Sequence, residues 1–203
     1  MNRMFKSAVA GMVCLGIFGG AAQADAAETT LLFDLLVGNV QPIGTGPYAS
    51  LKIADTGTNQ VTLTLTNNTA PSTGQFISRL YLNLASIAGV NFATTSTRVM
   101  DYSFGTVNNA GHRFNAEVDF AMSASSGLRL TGGQSASFVL SGTGLNATNL
   151  LSLNSSGFVA MLQLQGIGPR DDSTKLAAVP EPSTMAALAL GTLLFARRKR
   201  KSA

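Results

Sequence analysis

Two carboxylates on one short segment are the strongest candidates for chemistry in this chain of 203 residues. Glu117 and Asp119 lie in a segment where apolar and polar residues alternate, which predicts a strand with both side chains on one face, about 7 Å apart. Such a pair could hydrolyse a glycosidic bond or bind calcium. A solvated strand face has the same pattern, and we favour that interpretation.

The other candidates for chemistry are weaker. His112 is the only histidine, so a serine-type triad would have to use it as the base, and a zinc site built on several histidines is excluded. His112 follows a predicted turn, and we expect an exposed residue at the end of a strand. Asp171 and Asp172 could bind calcium, but we favour solvated charges in a linker. We therefore predict no catalytic residue, no metal and no cofactor.

Two further sets of side chains could carry sugars. Three asparagines match the N-x-S/T pattern, which chance explains in a chain rich in Asn, Ser and Thr. Three tyrosines could stack on sugar rings, although a domain of this size needs no such role. The residues are Asn67, Asn146 and Asn154, and Tyr48, Tyr81 and Tyr102.

Composition narrows the class of protein. The net charge of +4 comes from the two ends, because residues 25–179 contain seven basic and nine acidic side chains. This central part therefore has no basic surface for nucleic acid. Its low charge and abundant Gly, Ser, Thr and Asn are typical of an extracellular β protein. The only cysteine, Cys14, lies in the N-terminal apolar segment, so a disulfide in the central part is excluded.

Strict alternation predicts strands along the central part. In residues 60–66, Val61, Leu63 and Leu65 face one way and three threonines face the other. Residues 76–85, 112–122 and 158–165 alternate similarly, with Leu80 and Phe114 inward and Tyr81 outward. Residues 29–37 read as one first strand. About eight strands separated by turn residues predict an all-β, antiparallel β-sandwich, for which a jelly roll is one closure.

The N-terminus has the three parts of a secretory signal peptide. Arg3 and Lys6 form a basic region, residues 8–22 form an apolar region, and small residues precede Asp25. We expect signal peptidase to cut between Ala24 and Asp25.

The C-terminus has three features in a fixed order. Pro180, Glu181 and Pro182 form a stiff, extended element, because each proline restricts its own φ and the residue before it. Residues 185–196 are uncharged, which predicts an apolar helix, although a full membrane span needs about 20 residues. An unbroken basic run follows, which favours a membrane segment with a cytoplasmic end. The run consists of Arg197, Arg198, Lys199, Arg200 and Lys201.

This tail resembles the PEP-CTERM sorting signal of bacterial surface proteins. The resemblance rests on the order Pro-Glu-Pro, short apolar helix and basic cluster, and covers about 24 of 203 residues. It implies recognition by an exosortase-type membrane enzyme at Pro180, Glu181 and Pro182. It also implies a Gram-negative-type envelope, transient anchoring in the inner membrane, and delivery to the cell surface or extracellular matrix.

Together these patterns predict four parts: a signal peptide at 1–24, a β-sandwich at 25–165, a polar linker at 166–178 and a sorting and anchor segment at 179–203. The leading hypothesis is a non-enzymatic surface or biofilm-matrix protein with a structural, adhesive or exopolysaccharide-binding role. The alternative is a secreted glycan hydrolase that uses Glu117 and Asp119. In a third hypothesis the tail is a plain membrane anchor, which changes only the final location.

Overall fold

The computed structural model describes residues 27–178. Within this range the regular structure consists of β-strands and short 3₁₀ turns, and every strand pair is antiparallel. The predicted all-β, antiparallel fold is therefore confirmed. The predicted signal helix and anchor helix fall outside the described residues.

The described range contains more strand segments than the predicted eight, because several are only two or three residues long. The strands are β1 (Glu28–Phe33), β2 (Leu35–Leu36), β3 (Ala49–Gly57), β4 (Gln60–Asn67), β5 (Phe76–Leu82), β6 (Asn91–Ala93), β7 (Val99–Asn109), β8 (His112–Phe120), β9 (Leu130–Thr131), β10 (Ser135–Ser141), β11 (Ala160–Ile167) and β12 (Asp172–Ala178). The 3₁₀ turns are Pro71–Thr73, Ala147–Leu151 and Gly168–Arg170.

The strands form two sheets. The first has the order β1-β3-β4-β10-β6, and the second has the order β2-β12-β11-β5-β8-β7, with β9 also paired to β5. Leu51, Leu63 and Phe138 of the first sheet belong to the same buried cluster as Leu80 and Leu162 of the second. One apolar layer thus connects the two sheets, which supports the predicted sandwich.

The predicted single strand over residues 29–37 is wrong, because the chain changes sheets at Asp34. β1 pairs with β3 in the first sheet, whereas β2 pairs with β12 in the second. Asp34 between them is exposed. The apolar run is dense on both sides of Asp34, so hydrophobicity alone did not mark the break.

The predicted polar linker at 166–178 is also wrong. Gly168–Arg170 forms a 3₁₀ turn, and the next residues form β12, which lies between β11 and β2. Leu176, Ala177 and Ala178 are completely buried. The domain therefore extends to residue 178 instead of 165. The sequence did not predict this strand because β12 begins with charged residues and ends with small apolar ones. In the structure β12 pairs with β11 over its whole length.

The turn predicted before His112 is confirmed at the β7–β8 hairpin. Ala110 and Gly111 connect the two strands, and both have positive φ values, 50° and 79°. Two residues with positive φ form the hairpin turn whose twist matches that of the strands. The 11-residue strand β7 leads directly into this turn at Asn109.

Candidate functional site

The outer face of the second sheet carries the candidate carboxylates within a row of polar residues. Strand register aligns Lys175, Gln163, Arg79, Asp119 and Asp101 across five neighbouring strands. Side chains directly opposite one another on an antiparallel pair are about 5 Å apart. The sheet thus brings a basic residue against acidic residues that are distant in sequence.

Glu117 and Asp119 share one cation. Arg79 Nη1 lies 3.3 Å from Glu117 Oε1, and Arg79 Nε lies 3.0 Å from Asp119 Oδ1. Glu117 Oε1 and Asp119 Oδ1 accept no well-aligned hydrogen bond, so their contacts with Arg79 are ion pairs only. The Glu117 side chain is only 16% exposed, against 35% for Asp119. The predicted solvated face is therefore a charge cluster that is partly shielded from water.

Burial raises the pKa of Glu117 above its ordinary value. The negative charge of Asp119 raises that pKa further, while the positive charge of Arg79 opposes both effects. The raised pKa follows from removing a carboxylate from water and placing a like charge beside it. The same combination occurs at acid–base sites and in structural ion-pair clusters.

Tyr81 and Phe114 correct the predicted faces of their strands. We expected Tyr81 to point outward into solvent and Phe114 to point into the main core. Tyr81 is completely buried and packs with Phe114 and Met161 in a second, smaller apolar cluster. The Tyr81 hydroxyl accepts a hydrogen bond from Asn109 Nδ2. Tyr81 pairs with Glu117 across the β5–β8 ladder, so this cluster lies on the outer face and shields that carboxylate.

His112 lies at the start of β8, as predicted, but it is half-buried. Its Nδ1 is 2.8 Å from Ser156 Oγ, and its ring meets the Phe158 ring edge-on at 4.9 Å between centroids. The described contacts thus tie the imidazole to a loop. They do not join His112 to Glu117 or Asp119.

The three sequon asparagines all have structural contacts. Asn67 is completely buried and donates to the backbone oxygens of Gln75 and Leu130, which ties β4 of the first sheet to β9 of the second. Asn146 caps the 3₁₀ turn Ala147–Leu151. The Asn154 side chain accepts hydrogen bonds from two backbone amides within its own loop.

The aspartates proposed for calcium lie at the start of the last strand. Asp171 closes the 3₁₀ turn with a φ of 53°, and Asp172 is the exposed first residue of β12. Within residues 27–178, no group of three or more His, Cys, Asp or Glu side chains could hold a metal ion.

The outer face of the first sheet is a different kind of surface, which we name the hydroxyl face. Alternation buries Leu63 and Leu65 and leaves the threonines between and beside them half-buried. Register places Thr64 opposite Ser137 and Thr66 opposite Ser135, with hydroxyl oxygens 2.9 Å and 2.8 Å apart. The hydroxyl face consists of Ser50, Thr62, Thr64, Thr66, Ser135 and Ser137.

The hydroxyl face carries little net charge. Lys52 also points outward from it, and its ammonium lies 2.9 Å from Glu28 on β1. Both side chains are about half exposed, so the pair is solvated and neutralises itself. The face therefore presents hydrogen-bonding groups more than charges.

A shallow groove borders the hydroxyl face at β6. Its lining combines Ala93, Thr94 and Thr95 with Ser137 and Val139, and its volume is about 180 Å³. Thr94 Oγ1 donates to the backbone oxygen of Ser137 at 2.8 Å, which fixes one wall.

Tyr102 lies next to this edge. Of the three tyrosines considered for sugar stacking, Tyr48 and Tyr81 are buried, whereas Tyr102 is 46% exposed. Its ring stacks on Phe92 with 4.3 Å between centroids, and Phe92 stacks in turn on Phe138. Phe92 and Ala93 are neighbours on β6, so the aromatic stack and the groove share a strand.

Sequence reasoning named the threonines and Tyr102 but missed Ser135 and Ser137 as their neighbours on the hydroxyl face and Phe92 as the partner of Tyr102. The alternation of residues 135–140 was a usable signal for the two serines. The pairing of β10 with β4 and with β6 was not, because it joins residues more than 40 positions apart.

A comparison with protein families decides the nature of the C-terminal segment. Residues 178–201 match the model of the PEP-CTERM protein-sorting motif. The chain carries a PEP-CTERM sorting signal. No curated protein and no solved structure matches the chain.

The PEP-CTERM motif implies an exported protein that is anchored transiently in the membrane and processed by an exosortase. Pro180, Glu181 and Pro182 and the basic run from Arg197 to Lys201 lie in the matched segment but outside the described residues. The cleavage between Ala24 and Asp25 also lies outside them and stays a prediction. From residue 27 to residue 178, no helix is long and apolar enough to cross a membrane.

Proposed function

We propose that this protein is a non-enzymatic component of the cell surface or extracellular matrix whose hydroxyl face binds polysaccharide. One observation carries the binding role: rows of uncharged hydroxyls from β3, β4 and β10 stand in register on one outer sheet face. The PEP-CTERM motif supports delivery to the outside, where polysaccharide is available.

The chemistry of the hydroxyl face suits a neutral sugar polymer. Each Ser or Thr hydroxyl can donate one hydrogen bond and accept two, as sugar hydroxyls can. Strand geometry spaces the side chains about 4.8 Å apart between strands and about 6.8 Å along a strand. An extended sugar chain lying along β4 would therefore meet several hydroxyls of Thr62, Thr64 and Thr66 together.

The edge at β6 adds an apolar contact to this surface. Tyr102 presents a half-exposed ring supported by Phe92, and aromatic rings stack on the apolar faces of sugars. The groove between Ala93 and Val139 lies beside the hydroxyls, whereas Phe92 pairs with the buried Leu140, so the aromatic stack lies on the other side of the same edge strand. We propose that a polymer runs from the hydroxyl face across this edge.

The non-enzymatic part of the proposal rests on Glu117 and Asp119. Both carboxylates pair with Arg79 on a sheet face, and the groove at β6 is lined by other residues. A general acid needs its proton directed at a bound substrate. A carboxylate engaged by a guanidinium is poorly placed for that task.

Binding by the hydroxyl face can be tested by replacing Thr62, Thr64 and Thr66 together with valine. Valine keeps the shape and the strand preference but removes the hydroxyls. Each lost hydrogen bond is worth about 0.5–1.5 kcal/mol, so we expect binding to weaken about tenfold or more. The measurement is retention of the mature protein on the immobilised exopolysaccharide of its host.

The matched control replaces the same three residues with serine, which keeps the hydroxyls, and should retain most of the binding. Gln163→Ala tests the outer face of the other sheet. Unchanged binding by the valine variant, with normal folding, would exclude the hydroxyl face as the binding surface.

Sorting can be tested separately with Pro180→Ala combined with Pro182→Ala. An exosortase that reads an extended backbone should fail on this variant, because alanine lets the segment join a helix. We expect full-length protein to stay in the inner membrane, as measured by fractionation and intact mass. A plain anchor would not need the prolines, so surface delivery of a shortened variant would contradict recognition at Pro-Glu-Pro. Deleting residues 197–201 should fail differently, by removing the cytoplasmic stop.

A further inference from the structure

The last strand of the domain leads directly into the sorting signal. Ala178 is both the final residue of β12 and the first residue matched by the PEP-CTERM motif. It is completely buried, pairs with Ala160 on β11, and its backbone oxygen accepts from the amide of Val159 at 3.1 Å. The folded domain therefore ends where the signal begins.

Chain length limits how far the domain can be from its processing enzyme. Pro180 is two residues beyond Ala178, a reach of about 7 Å for an extended chain. The apolar segment begins at Met185, at most about 25 Å away. An enzyme that holds Pro-Glu-Pro at the membrane must consequently meet the end of the sheet at which Ala178 lies.

The end of β12 cannot easily detach from the sheet to lengthen the connection between the domain and the signal. Releasing the end of β12 would expose Leu176 and Ala177, which are completely buried. It would also break pairing on both sides of the strand, because β11 and β2 both pair with residues 176–177. We expect β12 to stay in place while the signal is read.

The surface beside Ala178 is formed by the loop 152–158. Val159 follows this loop, and its backbone oxygen accepts from the Asn83 amide, while Asn83 Nδ2 donates to Ser152 O at 3.1 Å. Asn154 holds the loop in shape through two backbone amides. Leu153 and Ser155 are exposed on it.

We propose that the loop 152–158 and the Ala178 end of the second sheet form the face by which the folded domain docks against the exosortase-type enzyme. The inference rests on the sorting part of the proposed function and is independent of polysaccharide binding. The partner follows from the chain beyond the described residues, because the 25 residues from Val179 onward carry all of the matched signal except Ala178.

The test compares processing of the full chain with a bulky side chain at Ser155, in a host that contains the exosortase. Ser155→Arg and Ser155→Glu should both slow the appearance of the shortened protein severalfold in a pulse-chase experiment. Inserting ten Gly and Ser residues after Ala178 should restore the normal rate, because the spacer moves the domain away from the enzyme. Ser125→Arg is the control. Ser125 is exposed in the loop that follows the end of β8, whereas the loop 152–158 contacts His112 at the start of β8. The control side chain therefore lies at the opposite end of this strand from the proposed docking face.

Three results would overturn the docking face. Unchanged processing of both Ser155 variants would show that the loop does not meet the enzyme. Equal slowing with and without the spacer would indicate a folding defect instead. Slowing by the glutamate variant alone would indicate contact with an anionic lipid surface instead of the enzyme. Processing of the wild type that persists without the exosortase would instead overturn the sorting proposal itself.

Discussion

At the scale of single residues, Arg79 is the cation that pairs with both carboxylates on the outer face of the second sheet. It lies within 3.0–3.3 Å of two carboxylates, and a third, Asp101, pairs with Asp119 on the next strand. Tyr81 shields Glu117 from water on one side. Burial is the main reason for the raised pKa of Glu117, and the excess of negative over positive charge in the cluster adds to it.

Glu117→Gln should change how stability depends on pH. A raised pKa means that folded protein binds the proton more readily than unfolded protein, so the wild type loses stability as pH rises from the ordinary glutamate pKa through the raised value. The variant should lack this loss, and at pH 7 it should be as stable as the wild type or slightly more so. Urea unfolding of the mature protein between pH 4 and pH 8 measures the effect.

Arg79→Met provides the contrasting variant, because it leaves both carboxylates without their cation. We expect it to cost about 1–2 kcal/mol at pH 7, between the values for exposed and buried ion pairs. A pH profile unchanged by Glu117→Gln would contradict the raised pKa. Glycan hydrolysis that the wild type performs and Glu117→Gln abolishes would establish the hydrolase alternative.

At the scale of elements, β12 determines how the second sheet is assembled. It pairs with β11 along its length and with β2 on its other side, so it joins the end of the domain to its beginning. Its side chains are exposed at Asp172 and Ser173, half-buried at Lys175, and completely buried at the last three residues, 176–178.

Leu176→Ala and Lys175→Ala should therefore have very different effects. Leu176 is completely buried in the main core, so its truncation should cost about 2–5 kcal/mol. Lys175 is half-buried on the outer face, and its replacement should cost less than about 1 kcal/mol. Chemical unfolding of the mature protein measures both. Two small and equal effects would mean that this segment is a linker after all.

The elements also show what the sequence could reveal. Alternation at Val61, Leu63 and Leu65 predicted β4 and its threonine face correctly, because one face of that strand is buried and the other is not. Tyr81 broke the same rule, since a second apolar cluster covers part of the outer face. β12 was missed because Asp172, Ser173 and Lys175 dominate its composition. The split at Asp34 and the match of β10 to β4 depend on distant pairing, which no local pattern contains.

At the scale of the whole molecule, two sheets share one core, and residues near both ends of the described range contribute to it. Leu31 and Phe33 belong to the same buried cluster as Leu176 and Ala178. Asn67 adds a polar tie between the sheets through its buried amide. We expect such a domain to fold cooperatively and to fail as a whole when one end is removed.

Residues 25–178 produced alone should be soluble and β-rich, whereas residues 25–165 should not fold. The shorter piece lacks all of β12 and the end of β11, which leaves β2 without its partner strand and exposes the side chains beneath Leu176. Far-ultraviolet circular dichroism and thermal unfolding distinguish the two. A cooperative β-sheet transition in the shorter piece would show that the last strand is dispensable.

The pairing of β2 with β12 also determines when the domain can finish folding during export. A chain that crosses a membrane N-terminus first delivers Leu35 and Leu36 early, yet in the described structure their ladder partners are Leu176 and Ala177. The second sheet cannot close until nearly the whole domain has emerged, and the next residues to arrive are those of the sorting signal. Completion of the fold and presentation of the signal thus become nearly simultaneous events. A chain that is stalled or cut short during crossing would expose an incomplete second sheet, with unpaired strand edges, to the other proteins of the envelope.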